Sequence, residues 1–209
     1  MDKRTFKNHA YGEIASLARA MAHPLRLEIL DLLANGPKSV EEMATIGQAS
    51  MASTSQQLQV LKNNRLVVAE KRGKQVFYAL ASRQVYDAWM GLKALTSHVN
   101  PFLDQYIRTF REPYGTEQSL GTATLSGSDY LVVDVRPVKE YLHGHLPDAV
   151  SIPMEQLAEL SGSLPRDKRI VAYCRGEMCT YADEAVKYLR EMGFQADRMD
   201  VSISEMLAK

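Results

Sequence analysis

Apolar positions recur every three or four residues through most of the first hundred positions. Beyond residue 129 they gather into short unbroken runs. The first pattern predicts helices and the second predicts buried strands. His23-Pro24 opens a helix with Pro at its first position, and Leu25, Ile29 and Leu32-Leu33 form its apolar face, which Gly36-Pro37 ends. Ser39 followed by Glu42 three residues on is a capping box, predicting a short helix to about Ile46. Gly47 breaks that helix, and Ser50 caps a third one running to about Asn63. Two short helices joined by a glycine-containing turn outline a helix-turn-helix.

After Leu66 the period changes to that of strands. Val67–Glu70 and Val76–Leu80 predict a hairpin whose tip, residues 71–75, is basic. A long helix then starts at Ser82. Its stripe of Val85, Trp89, Leu92, Leu95, Val99, Leu103, Tyr106 and Phe110 suits packing against another helix, and Pro101 is expected to kink or interrupt it. Residues 111–128 are rich in Gly, Ser and Thr and are taken as a linker. Beyond them come a strand at Tyr130–Val135, a short helix at Glu155–Leu160 and a strand at Ile170–Tyr173. A helix at Thr180–Met192 and a strand at Ala196–Val201 complete the alternation, which predicts an α/β domain with a parallel sheet. The expected division is therefore a mainly helical domain over residues 1–110, the linker, and an α/β domain over residues 129–209.

Charge sharpens that division. Residues 1–110 carry 14 Lys and Arg against 9 Asp and Glu, a net +5, and residues 111–209 carry 11 against 16, a net −5. Two halves of opposite sign point to different partners. No run suits a membrane span or a signal peptide, and the chain has only two cysteines, so a reducing cytoplasm is expected and no membrane partner. The five histidines show no ligand spacing, so neither a metal nor another cofactor is expected.

The third helix presents polar side chains where a helix-turn-helix meets base edges. Leu58 and Leu61 face inward. Ser50, Ser53, Thr54, Ser55, Gln56, Gln57, Gln59 and Lys62 are the candidate DNA contacts, and Gln can pair with adenine through two hydrogen bonds. Arg72 and Lys74 at the hairpin tip would meet phosphates or a minor groove. A solvated polar helix beside a charged hairpin is the plainer alternative. With His23 to Leu30, Ser53 to Val67 and the hairpin around Gly73, residues 10–108 resemble the ArsR/SmtB family of winged-helix repressors. The resemblance implies a homodimer formed through the first and last helices of this domain, an imperfect palindromic operator and release by an inducer. Two departures stand out. The segment Ser39 to Ile46 lacks the cysteines of metal-sensing members, and Asp87 and His98 lack the neighbouring ligands of the others. Arg65 also stands where the family usually has glycine.

The chemistry of the second half centres on Cys174-Arg175-Gly176-Glu177-Met178-Cys179, between a predicted strand and a predicted helix start. Loop N–H groups, the helix N-terminus and Arg175 are expected to favour a thiolate at Cys174. Two small buried apolar side chains are the alternative. Together with Asp134-Val135-Arg136, Glu140-Tyr141, Gly144 to Ala149 and Ser151-Ile152-Pro153, this loop makes residues 129–207 resemble a single rhodanese domain. The resemblance implies that Cys174 accepts a sulfane sulfur as a persulfide, steadied by the amides of Arg175 to Cys179. A loop of six residues is sized for sulfur rather than phosphate. Asp134 and Arg136 would steady the loop or bind an anionic donor, while His145 reads as structural. Glu177 disfavours thiosulfate, and Cys179 replaces an arginine common in thiosulfate-using members. Cys179 can then resolve the persulfide, leaving a disulfide and releasing sulfide. The tail from Asp200 to Leu207 lacks the usual glycine pair and tryptophan.

The expectation is a dimeric DNA-binding repressor whose rhodanese-like domain takes sulfane sulfur from thiosulfate, polysulfide or a low-molecular-weight persulfide and so reports reactive sulfur or redox state. One alternative is a sulfurtransferase whose helical half dimerises or localises it. Another is a DNA-binding module with an unreactive rhodanese-like scaffold.

Overall fold

A computed structural model describes residues 1–121, 129–201 and 203. The chain divides into two compact units, Met1–Leu95 and Thr96–Lys209.

The N-terminal unit begins with α1 (Lys3–Met21), which starts where the Asp2 carboxylate accepts from the N–H groups of Arg4 and Thr5. The sequence reading had singled out no helix there. α2 (Pro24–Ala34) carries Pro in its first turn as expected. β1 (Lys38–Ser39) leads into α3 (Val40–Ile46), and both capping-box bonds between Ser39 and Glu42 are present. α4 (Met51–Asn63) starts at Ser50, whose hydroxyl accepts from Ser53 N–H at 3.1 Å. β2 (Val67–Arg72) and β3 (Gln75–Leu80) pair antiparallel, with β1 on the far side of β3. Arg72 pairs with Gln75, so the hairpin tip is only Gly73 and Lys74, and Gly73 takes the positive φ such a turn requires. α5 (Arg83–Val99) closes the unit. Ile29, Leu30, Met43, Leu58 and Leu61 fill the core, and Trp89 on α5 donates to Asp31 on α2 at 3.0 Å. Full burial of a leucine such as Leu58 contributes about 1.5–3 kcal/mol, which is what holds α4 while its other face stays in water.

In the C-terminal unit α6 (Pro101–Arg111) is separate from α5. Asn100 lies between them, its side chain accepts from Phe102 N–H at 3.1 Å, and Pro101 is the first residue of the new helix. The rest is β4 (Tyr130–Asp134), α7 (Val138–His143), β5 (Val150–Ser151), α8 (Leu157–Leu160), β6 (Arg169–Tyr173), α9 (Tyr181–Glu191) and β7 (Ala196–Arg198). The strands are all parallel in the order β5-β4-β6-β7. Ile170, Val171, Ala172 and Tyr173 of β6 are sealed from solvent, the unbroken apolar run that a sheet covered on both faces demands. α7 and β5 were not anticipated; both are too short for periodicity to reveal.

The boundary falls at Leu95/Thr96 rather than near residue 110. Within the expected linker, residues 122–128 lie outside the described residues. Its first part is not a tether, because Arg111 and Thr116 are buried and hydrogen-bonded within the C-terminal unit.

Candidate functional site

The first candidate surface is the outer face of α4 with the β2–β3 hairpin. Ser50, Gln56, Gln59 and Lys62 are exposed, Ser53 and Ser55 are partly so, and Arg72 and Lys74 stand exposed on the hairpin. Two candidates change role. Thr54 is fully buried and faces the core, one helical position from the outer stripe, so it cannot meet DNA. Gln57 accepts from Arg26 Nη1 at 2.8 Å, and Arg26 Nη2 donates to Arg19 O, which ties α1, α2 and α4 together. Arg72 forms an exposed pair with Glu70 at 2.7 Å, a contact cheap enough to exchange for a phosphate. Arg65 follows α4 with φ +58, the left-handed conformation that glycine adopts without penalty.

The second site is the loop after β6. A parallel sheet delivers the loops that follow its strands to one edge, and there Tyr173 passes directly into Cys174. Cys174 is 1% exposed, whereas Cys179 is partly exposed, and both are free thiols. The Cys174 Sγ donates to the carbonyl oxygen of Cys179 at 3.3 Å and lies 3.9 Å from that of Gly176. The expected thiolate is therefore on the other sulfur. Burial, then the hydrogen bond and charge of Cys179, push the Cys174 thiol well up; Arg198 and the Ala182 N–H only partly oppose this. The Cys179 thiol is drawn down to about 6, first by the hydrogen bond from Cys174, then against burial by Arg175 and the N–H groups of Arg175 and Tyr181.

Arg175 is aimed by Glu140. Its Nε and Nη2 bind both Glu140 oxygens at 2.7–3.1 Å, leaving Nη1 3.6 Å from the Cys179 sulfur. Asp134 and Arg136 form an equally buried pair that does not reach the loop sulfurs. Arg136 binds both Asp134 oxygens and Gly144 O, and Tyr173 donates to Asp134 at 2.7 Å, which raises the Tyr173 hydroxyl through burial and the adjacent carboxylate. Of the two roles expected for this pair, bracing fits, whereas binding an anionic donor does not, because Arg136 is sealed and spent on Asp134. Met178 is exposed, Glu177 is partly so, and His145 stacks on Tyr141 with ring centroids 3.8 Å apart.

The loop carbonyls have a second set of partners that sequence reasoning missed. Buried Arg198 donates to Gly176 O at 2.9 Å and Cys179 O at 3.1 Å, and its charge is met by Asp183 and Asp200. Arg111 from α6 donates to Glu177 O at 3.0 Å and grips both Asp200 oxygens at 2.8 and 3.0 Å. Thr116 donates to Asp183 at 2.6 Å. Burial raises Asp183; it works against Asp200 too, but Arg198 and Arg111 hold that carboxyl below its ordinary value. One signal was available: Arg198 and Asp200 repeat, in reverse order at the end of β7, the two-residue spacing of Asp134 and Arg136 after β4. Among the described residues no group of three or more His, Cys, Asp and Glu could hold a metal, and no helix is long and apolar enough to cross a membrane.

A winged helix-turn-helix with a polar outer face, followed by a parallel sheet bearing a paired-thiol loop, defines a DNA-binding regulator with a second, α/β domain. Comparison with known proteins agrees. Residues 23–68 match the bacterial regulatory protein arsR family, and residues 121–206 match the rhodanese-like domain. The HTH-type transcriptional regulator Rv0324 of Mycobacterium tuberculosis is 33% identical over 197 residues, covering 92% of this chain and 86% of that protein. The chain therefore belongs to the arsR-family transcriptional regulators that carry a C-terminal rhodanese-like domain. A sulfurtransferase of Allochromatium vinosum is 32% identical over 77 residues, which is 37% of this chain and 70% of that one. The solution structure of a winged helix-turn-helix DNA-binding domain from Mycobacterium bovis shares 30% identity, covering 48% of this chain and 91% of that one with a TM-score of 0.44.

Proposed function

We propose that this regulator is a homodimeric repressor that takes a sulfane sulfur onto Cys174 and so reports reactive sulfur to its DNA-binding half. The observation that carries the reading is the pair of free thiols in the loop after β6, sealed Cys174 and partly exposed Cys179, with Arg175 Nη1 3.6 Å from the Cys179 sulfur. Cys179 acts as base: it takes the Cys174 proton as Cys174 attacks the terminal sulfur of a polysulfide, the logic by which an adjacent base activates any nucleophile. One S–S bond of the donor breaks and one forms at Cys174. The shortened polysulfide leaves with the electron pair and recovers the proton from Cys179. A second attack, by the Cys179 thiolate on the Cys174 persulfide, gives a Cys174–Cys179 disulfide and releases hydrosulfide, so the sulfane sulfur is reduced and the two thiols are oxidised.

Polysulfides and low-molecular-weight persulfides fit better than thiosulfate. Thiosulfate needs a cationic seat for the sulfonate group that leaves as sulfite, and Arg136 and Arg175 are each already held by a buried carboxylate. The match to the A. vinosum sulfurtransferase supports the sulfur chemistry and favours a second reading, an enzyme that passes the sulfur on to an acceptor. Exposed Phe6, Tyr11, Ile14 and Leu17 on α1 with Leu92 and Leu95 on α5 support the dimer.

Intact mass of the reduced protein after polysulfide, thiosulfate or no donor tests the reading. Polysulfide is expected to add one sulfur or remove two hydrogens, thiosulfate neither, and Cys174→Ala to abolish both. An unchanged mass with both donors, or uptake that survives Cys174→Ala, overturns the proposal. Rapid multiple turnover with a thiol acceptor and no change in DNA affinity would make the enzyme reading the correct one.

A further inference from the structure

Regulation of this kind needs an element with two arrangements that both halves can bias. Cys174 is sealed, so a donor reaches it only if the loop opens. The loop also sets carbonyl oxygens against the Cys174 sulfur. A second sulfur stands about 2.0 Å from the first, and the Cys174 Sγ already has a carbonyl oxygen at 3.3 Å and another at 3.9 Å. A persulfide anion is repelled by carbonyl oxygens and attracted by N–H groups. To hold it, the peptide units between Gly176 and Cys179 must turn, and the same rotation withdraws their carbonyls from the arginines that now bind them.

Arg198 lies on β7 and binds the loop, Asp183 of α9 and Asp200, so its loss of partners stays local. Arg111 does not. It is the last residue of α6, a helix joined to α5 by Asn100 alone, and it is 4% exposed. Its guanidinium is divided between the loop, through Glu177 O, and Asp200, with Asp183 at 3.7 Å. No other described residue of α6 is buried.

We infer that Arg111 is the positioning residue that couples the cysteine loop to the DNA-binding half: it clamps α6 to the loop through the Glu177 carbonyl in the reduced protein and loses that hold when sulfur is loaded. The inference rests on the proposed sulfur uptake at Cys174. In the reduced state both ends of the clamp are satisfied and the last turn of α6 is fixed. Once Glu177 O turns away, the carboxylates of Asp200 and, at 3.7 Å, Asp183 are the remaining partners of Arg111, and the loosened turn passes its motion to α5, where the apolar residues of the proposed dimer surface lie.

The test uses the full reduced chain with and without sodium polysulfide. Intact mass gives sulfur loading, and hydrogen exchange is followed in residues 101–111 and 174–179. Affinity is measured for a duplex that the reduced protein has itself selected from a random pool. Loading is expected to raise exchange in both segments and to change affinity by about fivefold or more. Arg111→Lys keeps the charge but not the two-pronged reach. It should still load sulfur, show raised α6 exchange before any donor, and change affinity less than twofold on loading. Sulfur loading with unaltered α6 exchange in the unsubstituted protein overturns the inference, as does a full affinity change in Arg111→Lys. An unchanged mass, with neither a sulfur gained nor two hydrogens lost, sinks the sulfur uptake instead; the clamp is then judged without donor, and unchanged loop exchange in Arg111→Lys overturns it. If Arg111→Lys does not fold, exchange in the unsubstituted protein decides alone.

Discussion

At the scale of single residues the decisive fact is which sulfur carries the charge. Position in the sequence favours Cys174, since a strand, a loop and a helix start converge there. Packing reverses the order: Cys174 meets carbonyl oxygens, while Cys179 meets Arg175 Nη1, two N–H groups and the Cys174 thiol. The largest of these effects on Cys179 is the Cys174 hydrogen bond, so Cys174→Ala should move Cys179 back toward the ordinary range. A thiolate with a lowered pKa is present above that value and lost below it. Alkylation of Cys179 by iodoacetamide should therefore rise with pH through about 6 in the unsubstituted protein. In Cys174→Ala the midpoint should lie about one unit or more higher, toward the ordinary thiol near 8.5. Equal midpoints would show that Arg175 and the loop amides set the charge unaided. That the loop is the candidate for thiol chemistry was legible from the spacing of two cysteines. Which sulfur held the proton was not, because it depends on how peptide planes turn, and side-chain identity says little about that. The buried arginines were hidden likewise: Arg111 and Arg198 look like ordinary surface charges until the fold supplies Asp183 and Asp200.

Elements were more legible where local chemistry punctuates the chain. Ser39 with Glu42, Ser50 and Pro24 start helices where they were expected to, and Pro101, expected to kink or interrupt one long helix, starts a new one, since capping and proline effects act within one turn. β1 and β5, two residues each, were illegible because a strand that short exists only through its partner. Thr54 shows the limit within an otherwise correct element. The polar run from Ser53 to Gln57 has no period of its own, so only the packing of Leu58 and Leu61 decides that Thr54 turns inward. The end of α4 carries a strained feature that can be measured. Arg65 at φ +58 is in a conformation costing an ordinary residue about 1–2 kcal/mol; glycine removes that cost but gives back about 0.5–1 kcal/mol in unfolded-state freedom. Arg65→Gly should thus stabilise the N-terminal unit by about 0.5–1 kcal/mol. Urea unfolding of the full chain, followed through the single Trp89 of that unit's core, should show a higher midpoint at unchanged slope. A lower midpoint would mean that the Arg65 side chain contributes contacts outweighing its backbone strain.

For the whole molecule the division of charge and the division of labour coincide. The half with net +5 bears the helix-turn-helix and is drawn to phosphates, while the half with net −5, which carries the rhodanese-like domain, is repelled by them. Neither net charge is large, so one protomer should hold DNA weakly, and the strength of an operator complex has to come from two protomers acting together. α1 and α5 leave apolar side chains in water that a lone protomer has no reason to expose, Leu95 among them at 56%. Leu95→Asp would put a charge into any helix–helix seam formed there, yet on the isolated surface it should change stability by no more than about 0.5 kcal/mol. Joining two half-sites makes the second contact intramolecular, which typically multiplies affinity by about 10²–10⁴. Leu95→Asp should therefore sediment as a folded monomer and lose about a hundredfold or more on a duplex bearing both half-sites. On a duplex bearing one half-site its affinity should match that of the unsubstituted protein. A dimeric Leu95→Asp with undiminished operator affinity would move the subunit contact elsewhere, and the path from Arg111 through α6 to α5 would then need a different endpoint.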